Sequence, residues 1–239
     1  MIPAHLLDVE HLPYVQGTRL MRALAEKKTL TTLPDILILA EHEPVITLGR
    51  RSRAEDLLVT RQALEEQGIA LYPVERGGLA TYHGPGQLVA YPVFDLKRLR
   101  LGVARFVSRL EEAILATLWD FDLQSATRRA GFPGVWIGEE KIASIGLAVR
   151  RGISFHGLAL NVNLGLAPFD LFHPCGLTGV RMTSMARALG RDVSKARLKQ
   201  RLAYHCAHIF NLEFTPWSLT EAWEATRPYA AKNAETALA

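Results

Sequence analysis

An α+β fold follows from three features of the sequence. Apolar runs of strand length are mixed with amphipathic helical segments along the whole chain. Residues 135–163 read as an antiparallel meander with glycine-bearing turns. Neither a dinucleotide fingerprint nor a Walker sequence accompanies the strands, and Gly77-Gly78 lacks the required spacing, so a doubly wound parallel sheet is not indicated. No internal repeat and no linker rich in Pro, Gly or Ser divides the 239 residues, which are read as one domain.

In chain order, residues 16–28 are expected to form a helix, with Leu20, Met21 and Leu24 on one face and Lys27-Lys28 near its end. Ile36 to Ala40, wholly apolar after Pro34, reads as a buried strand, and Val45 to Leu48 as another. The second ends at Gly49 and the basic cluster Arg50-Arg51-Ser52-Arg53, either a solvated loop or a contact for an anionic partner. Residues 54–67 read as a helix through Leu57, Leu58, Ala63 and Leu64, stopped by Gly68. Val103, Phe106, Val107, Leu110, Ile114, Leu115 and Leu118 recur at helical spacing and mark the clearest amphipathic helix. In the meander, Val135-Trp136-Ile137 leads through Gly138-Glu139-Glu140 into a strand from Lys141 to Val149. Arg150-Arg151-Gly152 turns the chain into the return strand, Ile153 to Asn163. Residues 167–191, with Pro168, Pro174, Gly176 and Gly179, are expected to be loop-like. A last long helix spans 194–210, with Leu198, Leu202, Cys206 and Ile209 on one stripe, and 216–239 is read as a short helix and a peripheral tail.

Composition excludes several classes. Hydrophobic residues make up 49% and charged residues 22%, which supports a substantial core and not a disordered chain. A formal charge of +4 is compatible with an acidic partner but too weak to indicate nucleic acid. Lys195, Arg197, Lys199 and Arg201 follow a helix with few aromatics between them, as a solvated face would. Two cysteines make neither a disulfide framework nor a metal site. The first residues lack a basic start and an unbroken apolar run, and no apolar run is long enough to span a bilayer. The expectation is a cytoplasmic protein with no membrane partner.

The chemistry-bearing stretch is Arg76-Gly77-Gly78-Leu79-Ala80-Thr81-Tyr82-His83-Gly84-Pro85-Gly86-Gln87, between β-forming segments. Its glycines let a ligand approach the backbone closely. The expectation is a strand, a glycine-lined loop carrying polar side chains, and a second strand. Cys206 belongs to a helical stripe, where a cysteine acts as a small hydrophobe. Cys175, in His173-Pro174-Cys175-Gly176, sits in a turn that can present a thiol. A reactive cysteine needs a nearby cation, and Lys141, His83 and His156 are candidates. Alternation gives Lys141 the company of Ala143, Ile145, Leu147 and Val149, so it either snorkels out at the strand end or is held for chemistry. His156 reads as a satisfied core histidine, whereas His83 is either ligand-facing or structural.

The string at 76–87 resembles the signature of the octanoyltransferases of lipoate biosynthesis. Three further segments agree in order: Gly134-Val135-Trp136 through Lys141-Ile142-Ala143-Ser144-Ile145-Gly146; His156-Gly157-Leu158-Ala159-Leu160-Asn161-Val162; and Pro174-Cys175-Gly176. Residues 35–50 are also similar. The resemblance implies a fold like that of the biotin and lipoate protein ligases, a mixed sheet flanked by helices. It implies octanoyl transfer from acyl carrier protein to a lysine of lipoyl domains, those of 2-oxoacid dehydrogenase complexes and the glycine cleavage protein. Cys175 would be the acyl-accepting nucleophile and Lys141 its partner. Arg76, Gly77, Gly78, Leu79, Ala80, Thr81, Tyr82 and His83, with Ser144, Ile145, Gly146, Gly157, Leu158 and Ala159, would line the acyl site. A thioester is already activated, so no metal, nucleotide or other cofactor is expected. Each buried CH₂ of the chain would contribute about 0.8 kcal/mol, and backbone N–H groups of the glycine loops would stabilise the oxyanion. An ATP-dependent lipoate or biotin ligase and a Cys–His hydrolase using His83 or His156 are the alternatives.

Overall fold

The structure, a computed structural model, describes residues 1–173 and 180–230. Its elements in order are β1 (Ile2–Asp8), α1 (Tyr14–Leu30), β2 (Asp35–Ala40), β3 (Val45–Leu48), α2 (Arg61–Glu66), β4 (Ala70–Pro73), β5 (Ala80–His83) and β6 (Gln87–Val93). There follow α3 (Val103–Trp119), β7 (Ala126–Arg129), β8 (Phe132–Ile137), β9 (Glu140–Arg150), β10 (Ile153–Asn161), β11 (Arg181–Met182), α4 (Met185–Leu189), α5 (Lys195–Phe210), β12 (Leu212–Pro216) and α6 (Leu219–Ala230). Among the described residues one large sheet runs β12-β1-β2-β6-β10-β9-β8-β7, with β11 also paired to β9. A second sheet of three strands runs β4-β3-β5. Pairing is parallel at β12–β1, β1–β2, β11–β9 and β3–β4, and antiparallel elsewhere. The mixed α+β architecture expected from the sequence is the one observed.

Both faces of the large sheet are covered, which is why β2 is apolar from Ile36 to Ala40. Leu37 and Leu39 point into a core built with Phe106, Leu110, Ile114 and Leu118 of α3 and Leu198, Leu202, Cys206 and Phe210 of α5. Ile36 and Ile38 point the other way, against Leu20, Met21 and Leu24 of α1. The strand period of two thus sorts one run of residues into two cores.

Several expected elements differ in the structure. The glycine-rich stretch is not one loop, because Ala80–His83 pairs with β3 as β5, placing Tyr82 opposite Ile46. The helix expected at 54–67 divides into a 3₁₀ turn at Ala54–Asp56 and α2. Thr60 Oγ1 accepts from Ala63 N at 3.2 Å and begins a new helix there, while Leu57 forms an isolated bridge with Phe172. Residues 167–191 contain β11 and α4, the latter capped by Ser184. β1, β7 and β12 were absent from the sequence reading. From residue 216 onward the described chain is docked. Ala222 of α6 is buried, and Lys27 Nζ donates to the Ala225 carbonyl at 2.7 Å.

Asp35 ties three segments together at the start of β2. It is fully buried and pairs with Lys28 Nζ at 2.9 Å and with Arg98 Nη2 at 2.5 Å. Its Oδ1 also accepts from Asp95 N at 2.8 Å. Burial pulls the Lys28 ammonium below its ordinary pKa, and Asp35 opposes that shift. Asp35→Ala leaves this lysine without its counter-charge and is expected to cost about 3–5 kcal/mol in chemical denaturation. Removing Asp8, half-exposed in its pair with Lys199, is expected to cost about 1 kcal/mol or less. Equal losses at the two positions would contradict this assignment.

Candidate active site

A cavity of about 520 Å³ is lined by residues of both sheets and of the starts of α1 and α3. That size suits a small ligand. Arg76, Gly77, Gly78, Leu79, Ala80, Thr81, His83, Lys141, Ser144, Ile145, Gly146, Gly157, Leu158 and Ala159 all line it. Tyr82 does not, because alternation along β5 turns its ring to the other side, where it packs edge-on against Phe169 at 5.7 Å. Cys175 lies outside the described residues. His156 also lines the cavity, so the core reading of that residue was incomplete.

Backbone packs against backbone around this cavity. A Cβ on Gly157 would stand 2.0 Å from the Ala90 carbonyl oxygen. One on Gly146 would meet the Gly77 carbonyl oxygen at 3.2 Å, where Gly77 N donates to the Leu147 carbonyl at 2.8 Å and fastens the glycine turn to β9. Arg76 is buried and spans to β3, its Nη2 donating to Thr47 O at 2.9 Å and Thr47 Oγ1 at 2.8 Å.

Lys141 does not snorkel. It is 3% exposed, with Nζ 5.3 Å from the centroid of the Trp136 ring, and the Arg129 guanidinium carbon lies 4.7 Å from the same centroid. A cation over an indole face is stabilised by the ring quadrupole. Gly134 makes room for the lysine. At φ +125°, a Cβ there would lie 2.7 Å from Lys141 Cε and 2.3 Å from the Ala143 carbonyl oxygen. Glu111 of α3 holds β8 at this point, accepting from Gly134 N at 2.9 Å.

Three histidines stand nearby, all held neutral by burial. His42 Nδ1–H donates to the Leu12 carbonyl at 2.5 Å, which leaves Nε2 to accept from the Tyr91 hydroxyl at 2.7 Å. His83 Nδ1 lies 2.8 Å from Gln87 Oε1, and its ring stacks on Tyr14 at 5.9 Å. Burial, with His42 close by, pushes the His83 pKa down to about 3. His156 adopts a left-handed φ of +55° within β10, a conformation that a non-glycine residue holds only when its surroundings impose it. Its backbone N donates to Met21 Sδ at 2.8 Å, and Nε2 faces Glu75 Oε2 at 3.5 Å. Burial lowers the His156 pKa, an effect that Glu75 only partly offsets. Burial also pushes the Cys206 thiol up to about 12, as expected for a packing cysteine.

The sequence reading missed Tyr14, Tyr91, Arg51, Val103, Val107 and Phe132 in the cavity wall, and His42 behind it. Tyr14 is fixed from outside its helix, since Glu43 Oε1 accepts from its backbone N at 3.0 Å. No motif joins these positions. Only the helical face of α3 foretold that Val103 and Val107 share a side.

The family model described as the lipoyl protein ligase A/B catalytic domain matches residues 13–207. An octanoyltransferase from Syntrophobacter fumaroxidans is 41% identical over 218 residues, covering 91% of this chain and 95% of the relative. Another, from Solibacter usitatus, is 43% identical over 211 residues, covering 88% and 94%. Among solved structures, a lipoate-protein ligase A bound with ATP aligns with a TM-score of 0.76 at 21% identity, covering 97% of this chain and 95% of the other. A bipartite lipoate protein ligase from Thermoplasma acidophilum aligns at 0.74 with 22% identity, covering 97% and 93%. The two structures share the fold.

Buried neutral histidines make stability pH-dependent. The unfolded chain takes up a proton near the ordinary value of 6.5, whereas folded His83 does so only near 3. Its contribution is therefore complete above about pH 6.5 and is lost as pH falls toward 3. His83→Phe keeps a ring against Tyr14 and removes the titration. Its denaturation midpoint should fall less steeply than that of the wild type below pH 6.5. Parallel curves would contradict a neutral buried His83.

Proposed function

The chain belongs to the lipoyl protein ligase A/B catalytic-domain family and is an octanoyltransferase of protein lipoylation; from that premise we propose that it carries the octanoyl group as a thioester on Cys175. The donor in this reading is octanoyl-acyl carrier protein, and the acceptor is a lysine of a lipoyl domain. The observation that carries it is the buried Lys141, an amine held at the wall of a cavity with glycine-lined sides. Chain connectivity supports the pairing with Cys175. The described chain resumes at Val180, and Met182 of β11 then pairs directly with Lys141.

Lys141, in its neutral amine form, takes the thiol proton, and the thiolate attacks the donor thioester. The carrier thiolate then leaves with that proton from the Lys141 ammonium, so the lysine is neutral again. The acyl-enzyme persists until a lysine amine arrives. Lys141 then receives the amine proton and returns it to the sulfur as the amide forms. The Cys–His alternative needs an imidazolium beside the thiolate, and burial disfavours the charged form of both His83 and His156. The ATP-dependent alternative rests on lipoate protein ligases that are 21–22% identical and share the fold, whereas the relatives at 41–43% identity are octanoyltransferases.

Arg50, Arg51, Arg53, Arg150 and Arg151 are exposed and form no ion pair among the described residues. In contrast, Lys195, Lys199 and Arg201 are paired to Glu41, Asp8 and Asp120. The unpaired arginines suit an acidic carrier or lipoyl domain. Raising salt from low to about 0.5 M should lower kcat/KM, because the Debye length shrinks from beyond 10 Å toward 3 Å. A flat response would remove electrostatic steering.

The direct test is ATP-free octanoylation of a lipoyl domain by wild type, Cys175→Ala and Cys206→Ala. Cys175→Ala should lose transfer and Cys206→Ala should keep it. In Lys141→Ala the Cys175 thiol should return toward its ordinary pKa of about 8.5, slowing alkylation near pH 7, with transfer falling further still. Arginine at 141 restores charge but accepts no proton, so it should not rescue transfer. An unchanged alkylation profile in Lys141→Ala, or equal losses at both cysteines in folded protein, would refute the dyad.

A further inference from the structure

Two buried amides determine which nitrogen of His83 carries its proton. Asn161 Nδ2 donates to the Thr183 carbonyl at 2.9 Å, so Asn161 Oδ1 is left as the acceptor for Gln87 Nε2 at 2.9 Å. Gln87 Nε2 also donates to the Tyr82 carbonyl at 3.0 Å. With both donors of Gln87 used, its Oε1 accepts from His83, and the proton of the imidazole must lie on Nδ1. Gln87 and Asn161 are buried, and Thr183 N in turn donates to the Lys141 carbonyl at 2.9 Å. The network is thereby anchored to the strand of the buried lysine.

A neutral imidazole protonated on Nδ1 carries a bare lone pair on Nε2. The ring lines the cavity, Tyr14 stacks on it, and no described residue hydrogen-bonds Nε2. The hydroxyls of the cavity wall both donate and accept, but this nitrogen can only accept.

The reaction has two nucleophiles that differ in hydrogen count. A thiol brings one hydrogen, and Lys141 takes it. A primary amine brings two, and only one leaves, so the second N–H needs an acceptor inside a largely apolar cavity. We propose that His83 Nε2 accepts this second N–H of the incoming lysine amine, orienting the amine lone pair toward the acyl carbon, and that Gln87 and Asn161 are positioning residues for it. The C–N bond forms and the C–S bond breaks. One proton passes from nitrogen through Lys141 to the sulfur, and the other stays on the amide product against His83. His83 takes no proton, which agrees with its low basicity. The assignment deepens the acyl-enzyme reading and rests on it.

The test measures the two half-reactions separately on the full chain: octanoyl loading from the carrier thioester by intact mass, then single-turnover transfer to a lipoyl domain. In His83→Phe, transfer should fall about 10- to 100-fold further than loading. Gln87→Glu still accepts from Nδ1–H but places a carboxylate beside the ring, and should add an ionisation to the pH profile of transfer alone. An acceptor domain bearing monomethyl-lysine offers one N–H, and its disadvantage relative to lysine should shrink in His83→Phe. Independently of any variant, ¹⁵N-histidine spectra of the wild type should show His83 protonated on Nδ1 and bare on Nε2 between about pH 5 and 8. Equal losses in loading and transfer, or the opposite tautomer, would overturn the proposal while leaving the acyl-enzyme intact. Failure of the wild type to load octanoyl would overturn both.

Discussion

A methyl group on Gly157 would lie 2.0 Å from the Ala90 carbonyl oxygen, and one on Gly134 would lie 2.7 Å from Lys141 Cε. The site depends on this constraint of close approach: strands and turns meet backbone to backbone, and the space that side chains would fill is left for a ligand and for one lysine. A Cβ on Gly49 would likewise meet the Gly78 carbonyl oxygen at 2.5 Å, so the three-stranded sheet and the glycine turn are locked by the same means. Larger residues would force the turn at 76–80 away from β9, to which Gly77 N is hydrogen-bonded. The cavity would then lose its wall.

Burial sets the electrostatics of the site. Lys141 is kept in an almost dry setting against Trp136, where its charge is screened far less than it would be in water. The surrounding histidines are neutral for the same reason. His42 and His83 are each directed by a single hydrogen-bonded tautomer, His42 through Leu12 and His83 through Gln87. Glu75 shows the opposite balance. Burial pushes its carboxyl up, but His156 and Arg22 outweigh this and hold it well below the usual carboxylate range. The cavity wall therefore sets the buried basic side chains Lys141 and Arg76 beside histidines that burial holds neutral.

Much of the architecture was legible in the sequence because it rests on period. β2, β3, α3 and the β9–β10 hairpin stand out as apolar runs or helical stripes, and all four are observed. β1 and β12 escaped because polar residues and proline interrupt their apolar positions, Pro3 and His5 in one and Glu213 and Thr215 in the other. They are made strands by pairing across some two hundred residues, Ile2 opposite Leu212. The glycine-rich motif located the cavity, but a contiguous motif cannot show that β5 points alternate side chains to opposite faces. Hence Tyr82 was grouped with residues whose side it does not share. The cluster of Tyr14, His42, His83 and Tyr91 was illegible for another reason: four separate segments meet there, and no spacing in the chain announces it.

Covalent capture of the acyl group is the step on which the account turns, because a ligase of the same fold would pass through an activated acid and a hydrolase would release one. Wild-type chain mixed with octanoyl-acyl carrier protein, without nucleotide or acceptor, and followed by intact mass and peptide mapping, measures that step alone. One octanoyl group per chain is expected, on the peptide containing Cys175 and sensitive to hydroxylamine as a thioester is. An unmodified chain, or octanoyl on Cys206 or on a lysine, would contradict it.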